Sequence, residues 1–335
     1  MSLSRHREGQ NIENGTKVAK LKFHLGLGSF FCAYDKSNNS VMRQVVEAGM
    51  GIHYCLDYPG SSMFFKKNTS KYERSNIDVI SRVPCFDTDV MKNEVALTLK
   101  ELDIGQVETL QLWGGSEVFD CYKVGSELHQ SLVSLQNEGK INNFLPQLYY
   151  DQTTQLAQNF EKQITPLAFY GSPVGLHIDE RLIKKNDVSN SIAMSIFGGV
   201  DKGVSPSFTS SEEKKYWDAL IAEYSWTEIC LMNLQSFGFI SNVVGSTGKA
   251  ERMKEIIHFF DDKKTIESMD VPILNKISIQ SCTQEHAAVV NAQATWDANH
   301  ERLRSSKVFV KSLVYFYVKK YRWLHKLVNF VAGRS

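Results

Sequence analysis

A short polar loop near residue 245 has the composition of a phosphate-binding site. Gly245-Ser246-Thr247-Gly248 precedes a segment with helical periodicity, and two cations follow in its first turn. Backbone N–H groups at the start of a helix attract anions, and neighbouring cations strengthen that attraction. The residues expected to hold a phosphate-bearing ligand are Gly245, Ser246, Lys249 and Arg252. A capped helix with solvated charges is the alternative interpretation.

The end of the chain is rich in basic and aromatic residues. Residues 302–335 hold nine Lys and Arg and no Asp or Glu. At helical spacing Lys311, Lys319 and Lys326 fall on one stripe, opposite a mainly apolar side. This pattern is typical of helices that lie on an anionic membrane surface. A protein partner, or packing of the apolar side on the rest of the chain, are the alternatives.

The whole chain is nearly neutral because its two parts carry opposite charge. Its 335 residues contain 38 basic and 37 acidic groups, for a net charge of +1. Residues 1–301 hold 29 of the basic groups and all 37 acidic ones, a net of −8 that the tail offsets. Because this main part is acidic, we do not expect nucleic acid as a partner. An apolar fraction of 42% also excludes disorder of the whole chain.

Metal sites and export signals are not evident in the sequence. His177, Asp179 and Glu180 could ligate a metal, but their spacing matches no known motif, and we predict no metal site. The six cysteines stand singly, which favours reduced, buried thiols. Residues 1–17 are polar and lack the apolar segment of a signal peptide. We therefore expect a cytoplasmic protein, with membrane association through the tail as an added hypothesis.

Short apolar runs alternate with longer amphipathic segments between residues 18 and 260. Strands are predicted within 18–31, 52–56, 77–83, 109–113, 143–149, 165–170, 191–197 and 240–245. The helices between them include one opening at Asp87, one over 124–135 and a pair over 211–235 capped by Ser210 or Ser211. Eight such units predict a (β/α)₈ barrel, with a doubly wound open sheet as the alternative. We divide the chain into a polar segment (1–17), the barrel (18–275) and a basic amphipathic helical extension (276–335).

Several sequence phrases occur in a fixed order along residues 20–264. They are Leu25-Gly26-Leu27-Gly28, Glu47-Ala48-Gly49, Gly60-Ser61-Ser62, Glu108-Thr109-Leu110-Gln111-Leu112, Glu138-Gly139-Lys140-Ile141, Ser195-Ile196-Phe197-Gly198-Gly199 and Val243-Val244-Gly245-Ser246. In this order and spacing they resemble the aldo-keto reductases, which are (β/α)₈ barrels. The resemblance implies the barrel fold, an NADP(H) cofactor and carbonyl reduction, in which a tyrosine donates a proton as hydride arrives from NADPH.

The resemblance also assigns positions to the catalytic Asp, Tyr, Lys and His of these enzymes. Aligned without a gap, the positions hold Tyr54, Pro59, Arg82 and Trp113. Proline has no proton to give, arginine cannot act as a tunable base, and tryptophan offers one N–H donor and no acceptor. A shifted alignment would bring Asp57 or Tyr58 nearer the site without restoring the other positions. We therefore expect a degenerate redox site.

The nicotinamide side of the implied cofactor site is altered as well. The Ser-Asn pair that holds the carboxamide in the resembling enzymes is replaced by Pro146-Gln147, and the stacking tyrosine by Met194. NADP(H) is therefore a doubtful cofactor. Tyr54 and Trp113 could instead form an aromatic floor for a sugar ring or a base, with simple packing as the alternative. His24 could face the barrel mouth, although a packed core histidine is favoured.

Three functions remain open from the sequence. The first is an aldo-keto reductase-like protein that binds a nucleotide sugar or dinucleotide in a biosynthetic role, such as surface-polysaccharide assembly. The second is a working NADP(H)-dependent oxidoreductase that uses Tyr54 and Arg82 in altered roles. The third is a non-catalytic interaction protein that acts through residues 302–335.

Overall fold

A computed structural model of the chain describes ten ranges: 21–27, 36–56, 61–159, 166–172, 175–176, 178–179, 181–182, 190–197, 206–261 and 278–279. The predicted polar segment and basic tail lie outside these residues. So do Asp57, Tyr58, Pro59, His177 and Glu180.

Strands and helices alternate between residues 22 and 159, and the later described elements are less regular. The strands are β1 (Lys22–Gly26), β2 (Gly51–Cys55), β3 (Val79–Pro84), β4 (Val107–Trp113), β5 (Ile141–Pro146), β6 (Ala168–Ser172), β7 (Gly175–Leu176), β8 (Ser191–Met194), β9 (Pro206–Ser207), β10 (Ile240–Gly245) and β11 (Ser278–Ile279). The helices are α1 (Lys36–Glu47), α2 (Ser61–Thr69), α3 (Thr88–Leu102), α4 (Glu127–Asn137), α5 (Tyr150–Asn159), α6 (Ser211–Glu223), α7 (Trp226–Gln235) and α8 (Ala250–Asp261).

Eight of the described strands are parallel and form a nearly closed barrel. Their order in the sheet is β5-β4-β3-β2-β1-β10-β8-β6, and the short β7 pairs antiparallel with the end of β6. A parallel bridge between Gln147 and Ala168 joins the two edges, and Leu148 N donates to Ala168 O at 2.9 Å. Helices lie between the strands, so the predicted (β/α)₈ barrel is confirmed.

Local capping groups set where several helices begin. Asp87 accepts hydrogen bonds from two backbone N–H groups of α3, each at 2.9 Å, and Ser210 caps α6. Both predicted caps are therefore confirmed. The helix predicted from residue 124 begins at Glu127 instead, because the Ser126 hydroxyl accepts from His129 N at 3.0 Å.

The strand register fixes which side chains enter the barrel. Tyr54 of β2 lies beside Ser81 of β3, and Cys55 lies beside Arg82. The Ser81 hydroxyl donates to Thr98 of α3 at 3.4 Å, so Ser81 and its neighbour Tyr54 face the helices. Because side chains alternate along a strand, Arg82 and Cys55 face the barrel interior.

Two apolar layers hold the barrel and position its polar side chains. A large cluster fills the space between the strands and the helices and includes Leu25, Ile52 and Tyr54. A smaller cluster fills the inside of the barrel and consists of Ile80, Leu145, Ala168, Tyr170, Ile192, Met194 and Val244. Within the ranges described, no helix is both long and apolar enough to cross a membrane.

Candidate functional site

Four polar side chains from neighbouring strands meet inside the barrel, towards the carboxyl ends of the strands. They are His53 of β2, Arg82 of β3, Gln111 of β4 and Gln147 directly after β5, and none is more than 7% exposed. Buried polar groups are stable only when they are hydrogen-bonded. Their mutual contacts therefore decide both the stability and the chemistry of this region.

Gln147 joins the four side chains into one network. Its Oε1 atom accepts from Arg82 Nε at 2.6 Å and from Gln111 Nε2 at 2.7 Å. On the far side, Gln111 Oε1 lies 3.1 Å from His53 Nε2, and Gln147 Nε2 lies 3.5 Å from the Tyr170 hydroxyl. The network therefore spans β2, β3, β4 and β6, and it orders the interior of the barrel.

The Arg82 guanidinium also packs on an aromatic ring. Its Cζ atom lies 4.6 Å from the centroid of the Trp113 ring, within the range of a cation–π contact. Phe86 meets the same indole edge-on, with ring centroids 6.3 Å apart. Arg82 is thus fixed by the Gln147 amide and by the indole together.

None of these four side chains is an acid that titrates near neutral pH. Burial, assisted by the charge of Arg82, lowers the pKa of His53 to about 3, so its imidazole is neutral at pH 7. Amide groups do not ionise, and arginine keeps its proton at every physiological pH. These four side chains therefore hold a positive charge and hydrogen bonds in place, but they do not form a general acid of matched pKa.

Tyr54 and Trp113 do not come together. Trp113 packs under Arg82 inside the barrel, whereas Tyr54 belongs to the layer between strands and helices. The predicted aromatic floor is therefore wrong, because a strand turns successive side chains to opposite faces. The inward-facing residue of β2 in the network is His53.

The residues predicted at the nicotinamide side lie within or against the network. Gln147 is its central member, and Met194 Sδ lies 3.0 Å from Gln111 Nε2. Met194 is buried at the end of β8, and the next residue, Ser195, has a φ of 55°. A non-glycine residue in this left-handed region carries some strain, which is frequent near functional sites.

The predicted phosphate-binding residues lie together where β10 passes into α8. The Ser246 hydroxyl donates to the Gly26 carbonyl oxygen at 3.0 Å and ties this loop to β1. Thr247 Oγ1 accepts from Lys249 N at 3.1 Å, which orders the loop directly before α8. The side chains of Ser246 and Lys249 are exposed to solvent.

Arg252 and Gly245 shape the same edge of the barrel. The Arg252 guanidinium lies over the Phe197 ring, with Cζ 5.7 Å from its centroid. A Cβ atom on Gly245 would lie 2.6 Å from the Phe197 ring and 3.0 Å from Phe23. Glycine at 245 therefore allows the turn after β8 to pack closely against β10. The four predicted residues share one edge, which fits an anion at the helix N-terminus.

Two weaker candidates lie outside the interior network. His24 is buried at the amino-terminal end of the barrel rather than at its mouth, and burial lowers its pKa to about 4. Asp179 accepts from the Arg181 guanidinium at 2.6 and 2.9 Å, and this contact lowers the Asp179 pKa to about 2. Among the described residues, no group of three or more His, Cys, Asp or Glu side chains could hold a metal. Four described cysteines, Cys55, Cys85, Cys121 and Cys230, are buried free thiols.

Sequence reasoning missed His53, Gln111 and Tyr170 as members of the interior network. A signal for His53 was present, because it is a polar residue within an otherwise mainly apolar strand. Gln111 stands out less, because its strand also contains Glu108 and Thr109. Tyr170 gave no such signal, since aromatic residues are common in strands.

Comparison with known proteins gives a consistent result at the level of the fold. No protein-family profile matches the sequence, and no curated protein matches it. An aldo/keto reductase from Brucella melitensis aligns with a TM-score of 0.56 and 17% identity, over 76% of this chain and 92% of that one. The holo form of aldo-keto reductase AKR11C1 from Bacillus halodurans aligns with a TM-score of 0.55 and 15% identity, over 77% and 91%. Aldo-keto reductase AKR2E5 complexed with NADPH aligns with a TM-score of 0.55 and 13% identity, over 76% and 83%.

These identities are low, so the likeness establishes the fold. The chain is a (β/α)₈ barrel, and more particularly it has the fold of the aldo-keto reductases. The resemblance stated from the sequence phrases is confirmed for the fold.

Proposed function

We propose that this protein is an aldo-keto reductase-like barrel that does not reduce carbonyl groups and instead binds a phosphate-bearing ligand. A nucleotide sugar or a dinucleotide is the proposed class. The role we propose is biosynthetic and cytoplasmic, such as a step in surface-polysaccharide assembly. The observation that carries the non-redox part is the buried chain of hydrogen bonds that joins Arg82, Gln147, Gln111 and His53.

The network supports this proposal because carbonyl reduction needs a proton donor beside the hydride acceptor. At the position that the resemblance gives to the catalytic lysine, Arg82 is bonded to Gln147 and packed on Trp113. The residue at the carboxamide position, Gln147, is engaged in the same contacts. Withdrawing either residue to serve a cofactor would break the hydrogen bond between a buried guanidinium and its amide acceptor, which is costly.

The phosphate part of the proposal rests on the start of α8. A helix of this length carries partial positive charge at its N-terminus. Lys249 is exposed there and Arg252 is half-buried one turn further on. In (β/α)₈ barrels the loops after the last two strands often bind phosphate.

Calorimetric titration with UDP-glucose, NADPH and 2′,5′-ADP tests the ligand class. We expect Lys249→Ala to weaken binding about fivefold, corresponding to roughly 1 kcal/mol for one exposed cation–phosphate contact. Lys254→Ala is the matched control, because Lys254 is also exposed but lies one turn further along α8. If no probe binds at millimolar concentration, or if both substitutions weaken binding equally, the phosphate site is contradicted.

An NADP(H)-dependent oxidoreductase is the second candidate, and the fold favours it because one similar structure is described as complexed with NADPH. The binding affinities of NADPH and 2′,5′-ADP separate the two candidate functions. A phosphate-binding protein that does not reduce carbonyl groups predicts nearly equal affinities, because Met194 and Gln147 would add little binding energy to the nicotinamide ring. Affinity for NADPH at least tenfold higher would favour the oxidoreductase.

The basic tail is the basis of a further proposal, that residues 302–335 bind an anionic membrane or a protein partner. This segment carries nine basic residues and no acidic residue, which supports binding to a membrane. Each basic residue contributes about 1 kcal/mol near an anionic surface. Liposome flotation with and without anionic lipid should recover the full chain but not a chain ending at Ala298. Equal recovery of both would contradict membrane binding.

A further inference from the structure

A cavity lies at the amino-terminal end of the barrel, opposite to the end that carries the proposed phosphate site. Its volume is about 380 Å³, and it is lined by the first residues of several strands. The lining includes His24, Thr109, Leu145, Ile192 and Asn242. This volume falls within the range of small-molecule sites.

His24 presents a polar atom that its surroundings do not satisfy. Only 2% of the residue is exposed. Its Cδ2–Nε2 edge faces β2, because a Cβ atom on Gly51 would lie 2.2 and 2.5 Å from these two atoms. Nδ1 is on the opposite edge of the ring and has no hydrogen-bond partner in the described part of the chain. A buried polar atom of this kind destabilises the fold unless water or a ligand completes its hydrogen bonding.

The rest of the lining combines hydrogen-bonding groups with an apolar surface. At the rim, Lys22 Nζ lies 3.3 Å from Asp78 Oδ2, so these two charges offset each other. The Glu108 carboxylate accepts from Asn142 Nδ2 at 3.1 Å. Leu145 and Ile192, by contrast, present methyl groups from the inner apolar cluster.

We propose that this cavity binds an uncharged, polyhydroxylated molecule of about monosaccharide size. Hydroxyl groups both donate and accept, so they can serve the Thr109 hydroxyl and His24 Nδ1 together. The C–H face of such a molecule would lie on Leu145 and Ile192. An ionic ligand fits less well, because Lys22 and Asp78 offset each other and the Glu108 carboxylate already accepts from the Asn142 amide. This site is independent of the proposed phosphate site and lies at the other end of the barrel.

Imidazole ¹⁵N NMR of the full chain tests the proposal. The protein has nine histidines, and loss of a signal in His24→Phe assigns His24. The probes are myo-inositol, D-glucose and D-galactose, each to about 50 mM, which exceeds the millimolar dissociation constants expected of small ligands. A saturable shift of the His24 resonances by at least one probe is expected. His129, whose Nδ1 contacts the Cys121 carbonyl at 3.0 Å outside the barrel, should not shift.

A conservative pair of substitutions separates binding from folding. Thr109→Val removes one lining hydroxyl at nearly constant volume and should weaken the apparent affinity about fivefold, equivalent to one hydrogen bond. Thr88→Val makes the same change at the start of α3 and should leave the affinity unchanged. The proposal is overturned if none of the three probes shifts His24, as would follow if another part of this chain fills the cavity. It is equally overturned if His129 shifts in parallel, or if Thr109→Val binds as tightly as Thr88→Val.

Discussion

Replacing Gln147 by leucine is the sharpest test of the interior network. The substitution nearly conserves volume but removes the amide that joins Arg82 to Gln111. Gln147 is 1% exposed, so water cannot take its place without opening the barrel. Both donors lie within 2.7 Å of its Oε1 atom and would lose that partner together.

The expected loss of stability follows from these two contacts. A hydrogen bond to a charged group contributes about 1.5–3 kcal/mol, and a buried amide N–H that loses its acceptor costs about 1–3 kcal/mol. The 3.5 Å contact with Tyr170 is too long to contribute much. Because the leucine side chain regains about 1 kcal/mol through apolar burial, we expect a net loss of about 1.5–5 kcal/mol.

Urea unfolding followed by far-ultraviolet circular dichroism measures this loss as a lower midpoint at constant slope. Gln130→Leu is the matched control, because Gln130 bonds the Gly125 carbonyl at 3.1 Å on the surface. We expect that control to change the free energy of unfolding by no more than about 0.5 kcal/mol.

A double-mutant cycle with Arg82→Met isolates the contact between Arg82 and Gln147. Removing both partners should destabilise the protein by at least about 1.5 kcal/mol less than the sum of the two single changes, because no buried guanidinium is then left without its acceptor. A loss below about 1 kcal/mol for Gln147→Leu, or additivity within about 0.5 kcal/mol, would refute the reasoning.

Three further predictions concern stability. His24 and His53 are neutral in the folded protein until the pH falls to about 4 and about 3, whereas the unfolded chain binds protons from about 6.5 downward. The free energy of unfolding should be highest above pH 6.5 and should fall below that pH by about 1.4 kcal/mol per pH unit for each histidine. His53→Gln should reduce this slope in urea titrations at pH 5 to 7. Gly51→Ala would place a Cβ atom 2.2 Å from His24 and should lower the urea midpoint markedly, whereas Gly105→Ala, with nothing within 4 Å, should not. Asp87→Ala removes the cap of α3 and should cost about 1 kcal/mol; an unchanged melting temperature would contradict the capping role.

The sequence predicted the order of the barrel elements because each carries a local signal. The strand over 240–245 was predicted with the observed bounds, and the caps at Asp87 and Ser210 lie where the sequence placed them. Strand ends were less well predicted, since β5 stops at Pro146 instead of continuing to residue 149. Pairing with neighbouring strands sets those ends, and a linear sequence does not contain that information.

The interior site could not be predicted from residue types alone. Tyr54 and His53 are adjacent in sequence, yet one faces the helices and the other enters the network. Deciding between them requires the register of β2 against β3, in which a shift of one residue exchanges the two faces. Arg82 and Gln147 were singled out as replacements, but their mutual bond joins residues that lie 65 positions apart.

NADPH consumption tests the central claim most directly, namely that this aldo-keto reductase fold holds a structural polar network in place of a carbonyl-reducing site. The protein is mixed with NADPH and, in turn, aromatic aldehydes, ketones and aldoses, and absorbance of the reduced nicotinamide is followed. We predict no protein-dependent oxidation with any of them. Saturable oxidation of NADPH that Arg82→Met abolishes would contradict the account.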